Sequence, residues 1–331
     1  MPSIDFALAT VGWSPSYVEK LREALGAREF VHTRDAAEIE RCLKVADVAI
    51  LGGDLDARFL SAPRLRWIHC DHAGLEKSAR PEVFEKGLLV TSSAGRSAPV
   101  LAEHAVLFML AFAFQFPRFL EAQRAHQWGF PGQDQLRGLY GHTVGILGLG
   151  NTGRELAVRC QALGTRVLGY RRQAGDVPGV DRLYSAERGE TIEPILRESD
   201  YLVLALPLSD ATWHILGAEP LSLLKPTAVI VNMGRGGLID EEALIAALRA
   251  GRIAGAGLDT FEREPLPADS PLWDLPNVMI TPHTTPQVPD RTGRSLEIIA
   301  ENARRYRQGE TTLLNLLRPS DLYSHGYSHG L

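Results

Sequence analysis

The stretch Thr143-Val144-Gly145-Ile146-Leu147-Gly148-Leu149-Gly150-Asn151-Thr152-Gly153 carries the reading of the fold. Thr143–Leu147 reads as a buried strand. The next six residues spell G-x-G-x-x-G, and a helical run over Thr152–Leu163 follows. In that setting each glycine has a separate task. Gly148 permits a tight turn, Gly150 lets a pyrophosphate approach the backbone, and Gly153 lets the helix pack close to the strand. The helix start at Asn151 and Thr152 offers unpaired N–H groups and partial positive charge to phosphates. The segment therefore predicts a dinucleotide-binding unit.

Working outward, the same α/β beat appears twice. Downstream, strands are expected at Arg166–Tyr170, Tyr201–Leu204, Ala228–Val231 and Ile253–Leu258, with helices at Glu190–Glu198 and Glu241–Ala250. Asp240 is the expected N-cap of the last helix. Upstream, strands are expected at Ile4–Ala9, Val48–Leu51, Trp67–Cys70 and Leu88–Val90, with a helix from Ser14-Pro15 to Leu25. Alternating strands and helices mean α/β units with parallel sheets. A chain of 331 residues suits two such domains. Pro99 opens an apolar helix expected to run to about Pro117. Its apolar positions go nearly all round, which predicts burial on most sides and a crossing between domains. A last helix, about Pro289–Gln308, is expected to return to the first domain. The expected division is 1–100 with 288–331 for the substrate-binding domain and 101–287 for the dinucleotide-binding domain.

Composition excludes several classes. Apolar residues make up 45%, charged residues 23%, and the net charge is −5. That balance lacks the basic excess of a nucleic-acid binder. Cys42, Cys70 and Cys160 have no metal-ligand spacing and read as reduced thiols. Met1–Ala9 has none of the marks of a signal peptide. Ala105–Phe116 is apolar but shorter than the about 20 residues a bilayer span needs. A cytoplasmic protein with no membrane partner is expected. The repeated Tyr-Ser-His-Gly at 323–326 and 327–330 reads as a disordered terminus rather than a metal site.

The strand after the glycine turn ends Gly169-Tyr170-Arg171-Arg172. An acidic residue at this place binds the ribose of NAD, whereas guanidinium groups suit a 2′-phosphate. Arg171 and Arg172 predict a preference for NADP(H), with NAD(H) as the second cofactor. The competing reading leaves both arginines solvated and turns Asp176 onto the ribose.

Three more residues follow strands or apolar runs. Arg235 lies in Val231-Asn232-Met233-Gly234-Arg235-Gly236-Gly237, and a guanidinium there could hold a carboxylate and polarise a neighbouring carbonyl. Glu264 ends the run Asp259-Thr260-Phe261-Glu262-Arg263-Glu264 before Pro265. His283 closes Thr281-Pro282-His283 after Val278-Met279-Ile280. A carboxylate beside an imidazole favours the imidazolium, the form that gives up a proton. Spacing alone leaves open whether the three converge.

These motifs resemble the D-isomer-specific 2-hydroxyacid dehydrogenases over about residues 65–315. The pieces stand in that family's order: the Ala73-Gly74 loop, Leu101-Ala102-Glu103-His104, Trp128, the turn at 148–153, Ala205-Leu206-Pro207-Leu208, Asn232 to Gly236, Asp259 to Pro265, and Thr281-Pro282-His283. The resemblance implies two Rossmann-like domains with parallel sheets and the active site in the cleft between them. It implies Arg235 as the substrate-binding, carbonyl-polarising arginine, His283 as acid/base and Glu264 as its partner. Asp259 would bind the nicotinamide carboxamide, Leu206 and Pro207 would line the cofactor, and Met233 and Gly234 would lie beside it. Backbone N–H groups of Ala73 and Gly74 would bind the substrate carboxylate. It further implies a homodimer built largely on the cofactor domain and its long helix. The two arginines at 171–172 resemble the NADPH-preferring glyoxylate/hydroxypyruvate reductase branch. The alternatives are the same chemistry on a longer or aromatic 2-keto acid, or a non-catalytic, NAD(P)-sensing corepressor-like protein. Small residues including glycine usually follow the family's histidine; here Thr284-Thr285-Pro286 do.

Overall fold

The computed structural model describes residues 3–284 and 288–325. Within them the chain divides into two compact units. The first contains residues 3–96, 209–211 and 288–325, and the second residues 97–208 and 212–284. Thr285 and Pro286 of the departure noted above, and the second Tyr-Ser-His-Gly copy, lie outside the described residues.

The first unit is built on five parallel strands: β1 (Phe6–Ala9), β2 (Glu29–His32), β3 (Val48–Leu51), β4 (Trp67–Cys70) and β5 (Leu89–Ser92), in spatial order β2-β1-β3-β4-β5. Every residue of β3 and β4 is buried, which is why β3 reads as a continuous apolar run and β4 departs from one only at His69. Trp67 is fully buried and stacks on Tyr306 of the returning helix Arg291–Arg307, with ring centroids 5.6 Å apart. That helix also caps the helix Pro15–Leu25, because Arg307 donates to the Leu25 carbonyl at 3.2 Å. The Ser209–Ala211 segment joins this unit through Asp210, whose N–H donates to the Leu322 carbonyl at 2.9 Å.

The second unit has seven parallel strands: β6 (Thr143–Leu147), β7 (Arg166–Arg171), β8 (Arg182–Ser185), β9 (Tyr201–Leu204), β10 (Val229–Asn232), β11 (Gly255–Leu258) and β12 (Val278–Ile280). Their order is β12-β11-β10-β9-β6-β7-β8. The strand order reverses at β6, the position where open α/β sheets bind ligands beyond their carboxyl ends. The strand β11 reads Gly-Ala-Gly-Leu for a packing reason. A Cβ on Gly257 would stand 2.7 Å from the Phe108 ring, and one on Gly255 2.6 Å from the Phe112 ring. The long helix Ala98–Ala113 therefore settles its aromatics into the glycine notches of that strand.

Three strands were not expected. Two of them, β2 and β8, and the short β12 all lie at sheet edges. Edge strands stay partly exposed and carry polar residues, as Glu29 and His32 do in β2 and Arg182 does in β8, so the alternation that marks a strand is blurred. The single helix expected to about Pro117 is two helices, Ala98–Ala113 and Phe116–Arg124, with a 64° bend. Gln115 takes a left-handed conformation at the break (φ 47°), and Pro117 has no N–H with which to continue the first helix. Burial on most sides is observed over Ala98–Ala113, where only Glu103 and Leu107 are exposed, and it is lost at the break, where 114–117 are exposed. Ala102, Ala105, Phe108 and Met109 enter the second unit's core, whereas Leu107 is 60% exposed and Phe116 52%. Among the described residues no single helix is long and apolar enough to cross a membrane; only this bent pair passes that test together.

Candidate active site

The residues singled out in the second unit all stand at one edge, the carboxyl end of its sheet. The glycine turn follows β6, Arg171 ends β7, and Leu206 and Pro207 follow β9. Met233, Gly234 and Arg235 follow β10, Asp259 and Glu264 follow β11, and His283 follows β12. The first residue beyond β6, β9, β10, β11 and β12 is tied to its neighbour strand. Gly148 N–H donates to Tyr170 O (2.9 Å), Ala205 N–H to Leu147 O (2.8 Å), Met233 N–H to Leu204 O (3.1 Å), Asp259 N–H to Asn232 O (3.2 Å) and Thr281 N–H to Leu258 O (3.0 Å). The edge is thus laced by backbone before any side chain contributes.

The three glycines of the turn differ physically. Gly148 has φ +99°, and a Cβ there would lie 2.6 Å from the Ala205 carbonyl. A Cβ on Gly153 would lie 1.9 Å from the Gly148 oxygen. Both are glycines because the chain itself leaves no room. Gly150 meets nothing within 4 Å, so the fold does not require its bareness. It caps the helix Asn151–Ala162, and Asn151 and Thr152 open that helix with N–H groups lacking intrahelical acceptors. Open space over a bare backbone at a helix N-terminus fits a pyrophosphate.

At the end of β7, Arg171 donates from Nε to Gln173 O (2.8 Å) and from Nη2 to Ala174 O (2.8 Å) and Gly175 O (3.2 Å). Its guanidinium shapes the loop that follows. Arg172 is exposed beside it, as is Asp176.

Glu264 and His283 meet. His283 Nδ1 lies 2.6 Å from Glu264 Oε2, while Glu264 Oε1 accepts the Phe261 N–H at 3.0 Å. One carboxylate oxygen is held by its own loop and the other is aimed at the imidazole. That contact engages Nδ1 and leaves Nε2 as the nitrogen for proton transfer. His283 takes a left-handed backbone conformation (φ 47°), uncommon for a residue with a side chain. The segment around it is fixed by Asp259, a buried carboxylate whose Oδ1 accepts from Thr281 Oγ1 (2.6 Å) and from the Thr284 N–H (3.1 Å). The neighbouring Glu262 takes a different histidine, His214, at 2.7 Å. The run Glu262-Arg263-Glu264 offers two carboxylates, and only the structure shows which one His283 receives.

Arg235 is held by a residue the sequence reading gave no role. Asn232 donates from Nδ2 to Arg235 O (2.9 Å) and accepts the Gly234 N–H at Oδ1 (3.1 Å), fixing the turn that presents the guanidinium. Gly236 lies against Phe261, where a Cβ would come within 1.8 Å of backbone, so the arginine loop and the glutamate loop are packed together. Thr281 and His104 were also passed over. Thr281 gives its hydroxyl proton to Asp259 and therefore accepts from His104 Nε2 at 3.2 Å. Burial lowers the pKa of His104, which favours this neutral, Nε2-protonated form. His104 appeared in a motif, but no spacing links it to Thr281, 177 positions away. In the first unit Ala73 and Gly74 follow β4, and Gly74 has φ +82°.

What this edge can do is seat a dinucleotide, move a proton at an imidazole and hold an anion at a guanidinium. That capacity defines a nicotinamide-dependent oxidoreductase. Residues 106–285 match the family model described as "D-isomer specific 2-hydroxyacid dehydrogenase, NAD binding domain". A glyoxylate reductase of Thermococcus gammatolerans is 34% identical over 318 residues, covering 90% of this chain and 92% of that protein. A D-isomer specific 2-hydroxyacid dehydrogenase of Xanthobacter autotrophicus, solved with NADPH, superposes with a TM-score of 0.79 at 29% identity, covering 96% and 99% of the two chains. An NADPH-dependent glyoxylate/hydroxypyruvate reductase of Sinorhizobium meliloti, solved with NADP and sulfate, gives a TM-score of 0.77 at 27% identity over the same shares. The chain belongs to the D-isomer-specific 2-hydroxyacid dehydrogenase family. It is an NAD(P)-dependent enzyme of that family.

Proposed function

We propose that the protein reduces a short 2-keto acid, glyoxylate or hydroxypyruvate, to the corresponding 2-hydroxy acid (of D configuration from hydroxypyruvate), with NADPH as preferred donor. The observation that carries this reading is the His283–Glu264 contact of 2.6 Å at the same sheet edge as Arg235 and the glycine turn. The bound nicotinamide supplies the hydride. Arg235 binds the substrate carboxylate and polarises the adjacent carbonyl. His283 gives its Nε2 proton to the carbonyl oxygen, and the Glu264 carboxylate accepts from Nδ1–H and orients the ring. The Ala73–Gly74 loop contributes backbone N–H groups to the carboxylate, and Asp259 orients the nicotinamide carboxamide as well as the histidine segment. Leu206, Pro207, Met233 and Gly234 line the cofactor.

Two features favour NADPH: arginines stand where a ribose-binding acid would stand, and two similar proteins were solved with NADPH or NADP. The exposed apolar residues Leu107, Phe114 and Phe116 on the bent helix pair support a homodimer formed over that face.

The test is a spectrophotometric panel of 2-keto acids with each cofactor. Glyoxylate and hydroxypyruvate should exceed longer and aromatic acids in kcat/KM, and NADPH should exceed NADH. A clear preference for NADH overturns the cofactor assignment. Tight NADPH binding without turnover of any 2-keto acid favours a sensing protein instead. Glu264→Ala should lower kcat by about tenfold or more with the NADPH Kd unchanged, because it removes the acceptor that orients the His283 ring through Nδ1. An unchanged kcat removes Glu264 from the chemistry.

A further inference from the structure

The first unit contains a buried polar chain that none of the roles above uses. Asp71, the residue immediately after β4, accepts from Trp13 Nε1 at Oδ2 (2.8 Å). Its Oδ1 accepts from Ser93 Oγ (2.9 Å) and from Arg96 Nη1. Behind Ser93 stands His69, fully buried, with Nε2 2.9 Å from Ser93 Oγ and Nδ1 2.9 Å from Thr91 Oγ1. Thr91 Oγ1 in turn lies 2.9 Å from Trp67 Nε1.

The direction of every bond follows from its two ends. An indole N–H only donates, and a carboxylate paired with a guanidinium only accepts. Trp67 therefore donates to Thr91, Ser93 to Asp71 and His69 Nε2–H to Ser93; a neutral His69 then accepts at Nδ1 from Thr91, whose hydroxyl also lies 3.4 Å from Ile68 O. Burial holds His69 neutral, pushing its pKa down to about 3. The chain runs one way, and the terminal carboxylate selects the histidine's tautomer.

Such a cluster is an unpromising source of stability, since apolar side chains of similar volume often do as well as a buried ion pair. Its position is more telling. Asp71 opens the loop that leads to Ala73 and Gly74, and its own N–H is tied to Leu51 O at 2.8 Å. His72 O accepts the Ser93 N–H at 3.1 Å, so the loop's next peptide is fixed from the same side. A carboxylate two residues before an anion-binding loop would oppose the anion. Arg96 neutralises it, and the Arg96 Nη1 bond to Ser295 Oγ (3.0 Å) anchors that guanidinium to the returning helix.

We propose that Asp71 is a positioning residue for the substrate carboxylate: its bonds to Trp13, Ser93 and Arg96 set the 72–74 peptides in the orientation that presents their N–H groups. This rests on the assignment of the Ala73–Gly74 loop made above. Asp71→Asn keeps the shape but supplies one acceptor oxygen and two donor hydrogens where three donors now converge, so the chain must reverse or leave a donor unpaired. The expected result is a KM for the 2-keto acid raised by about tenfold or more, with kcat within about threefold and the NADPH Kd unchanged. An unchanged KM overturns the proposal. So does a loss of kcat as large as the change in KM, which would mark a general structural defect.

A second measurement uses the unaltered protein and needs no turnover. Long-range proton–nitrogen NMR of His69 should show the Nε2–H tautomer; the Nδ1–H tautomer overturns the proposal even if Asp71→Asn does not fold. If the unaltered protein binds NADPH but reduces no 2-keto acid, the functional reading fails, while the His69 tautomer still decides whether the chain ends on Asp71 as described.

Discussion

The carboxyl edges of the two sheets are organised by different kinds of contact. In the second unit Glu264 and Arg235 are fixed within their own loops, while His283 and Asp259 take partners 19–25 positions away. Glu264 is fixed by the N–H three positions before it, and Asn232 grips residues two and three positions ahead. In the first unit the corresponding edge is held from far away. Asp71 reaches partners 58, 22 and 25 positions distant, and Arg96 reaches Ser295 across 199. A side chain fixed within its own loop can be transplanted as a motif. A loop set by remote contacts depends on the whole domain.

The largest effect that could break this contrast is on His283. If the second unit supplies the proton, His283→Ala should lower kcat about 10²–10⁴-fold, with NADPH affinity unchanged in a fluorescence titration. Retention of more than about a tenth of the turnover would move the acid out of the second unit's edge.

A smaller effect separates glycines within one turn. Gly153→Ala places a methyl 1.9 Å from the Gly148 oxygen and should lower stability by about 1–3 kcal/mol, read as a fall in Tm. Gly150→Ala meets no protein atom within 4 Å, so Tm should hold while the NADPH Kd rises by about tenfold. Equal loss of stability in the two variants would show that Gly150 also serves the fold, and the open space above it would lose its meaning.

The same contrast explains what could be read without coordinates. The glycine turn was legible because strand, turn and helix adjoin in sequence, and Asp240 behaved as the N-cap expected of it, accepting from the Ala243 N–H at 3.0 Å. Arg235, Glu264 and His283 were legible as residues after strands or apolar runs, yet the meeting of Glu264 with His283 was not. The pairing of Glu264 with His283, and of Glu262 with His214, depends on how two loops face each other. Asn232 was visible in a motif, but its purpose required the backbone of Gly234 and Arg235. Strands β2 and β8 were hidden by their polar edges, and the break at Gln115 by an apolar pattern that continues across it. The chain from Trp67 to Asp71 left no trace at all. Thr91 and Ser93 stand 22 and 24 positions from His69, and only the β4–β5 register, which sets His69 beside Thr91, makes them its neighbours.

That buried histidine yields the smallest and most specific effect. Unfolded, His69 titrates near 6.5; folded, burial keeps it neutral down to about 3. Between those values the unfolded chain binds a proton that the folded protein does not, so stability is full above about 6.5 and declines as the pH falls towards 3. Burial lowers His104 too, so part of the decline belongs to the second unit. Carboxylates act in a lower window: Glu301, held down to about 2 by Arg304 and then Arg305, loses its contribution only below about 4.5. His69→Gln should therefore flatten the loss of Tm between about pH 6.5 and 5, while the steeper fall at lower pH remains. Parallel curves through that upper window would mean that His69 is protonated in the fold. The one-way chain could not then exist, because an imidazolium donates from both nitrogens and Thr91 would have to turn its hydroxyl proton away.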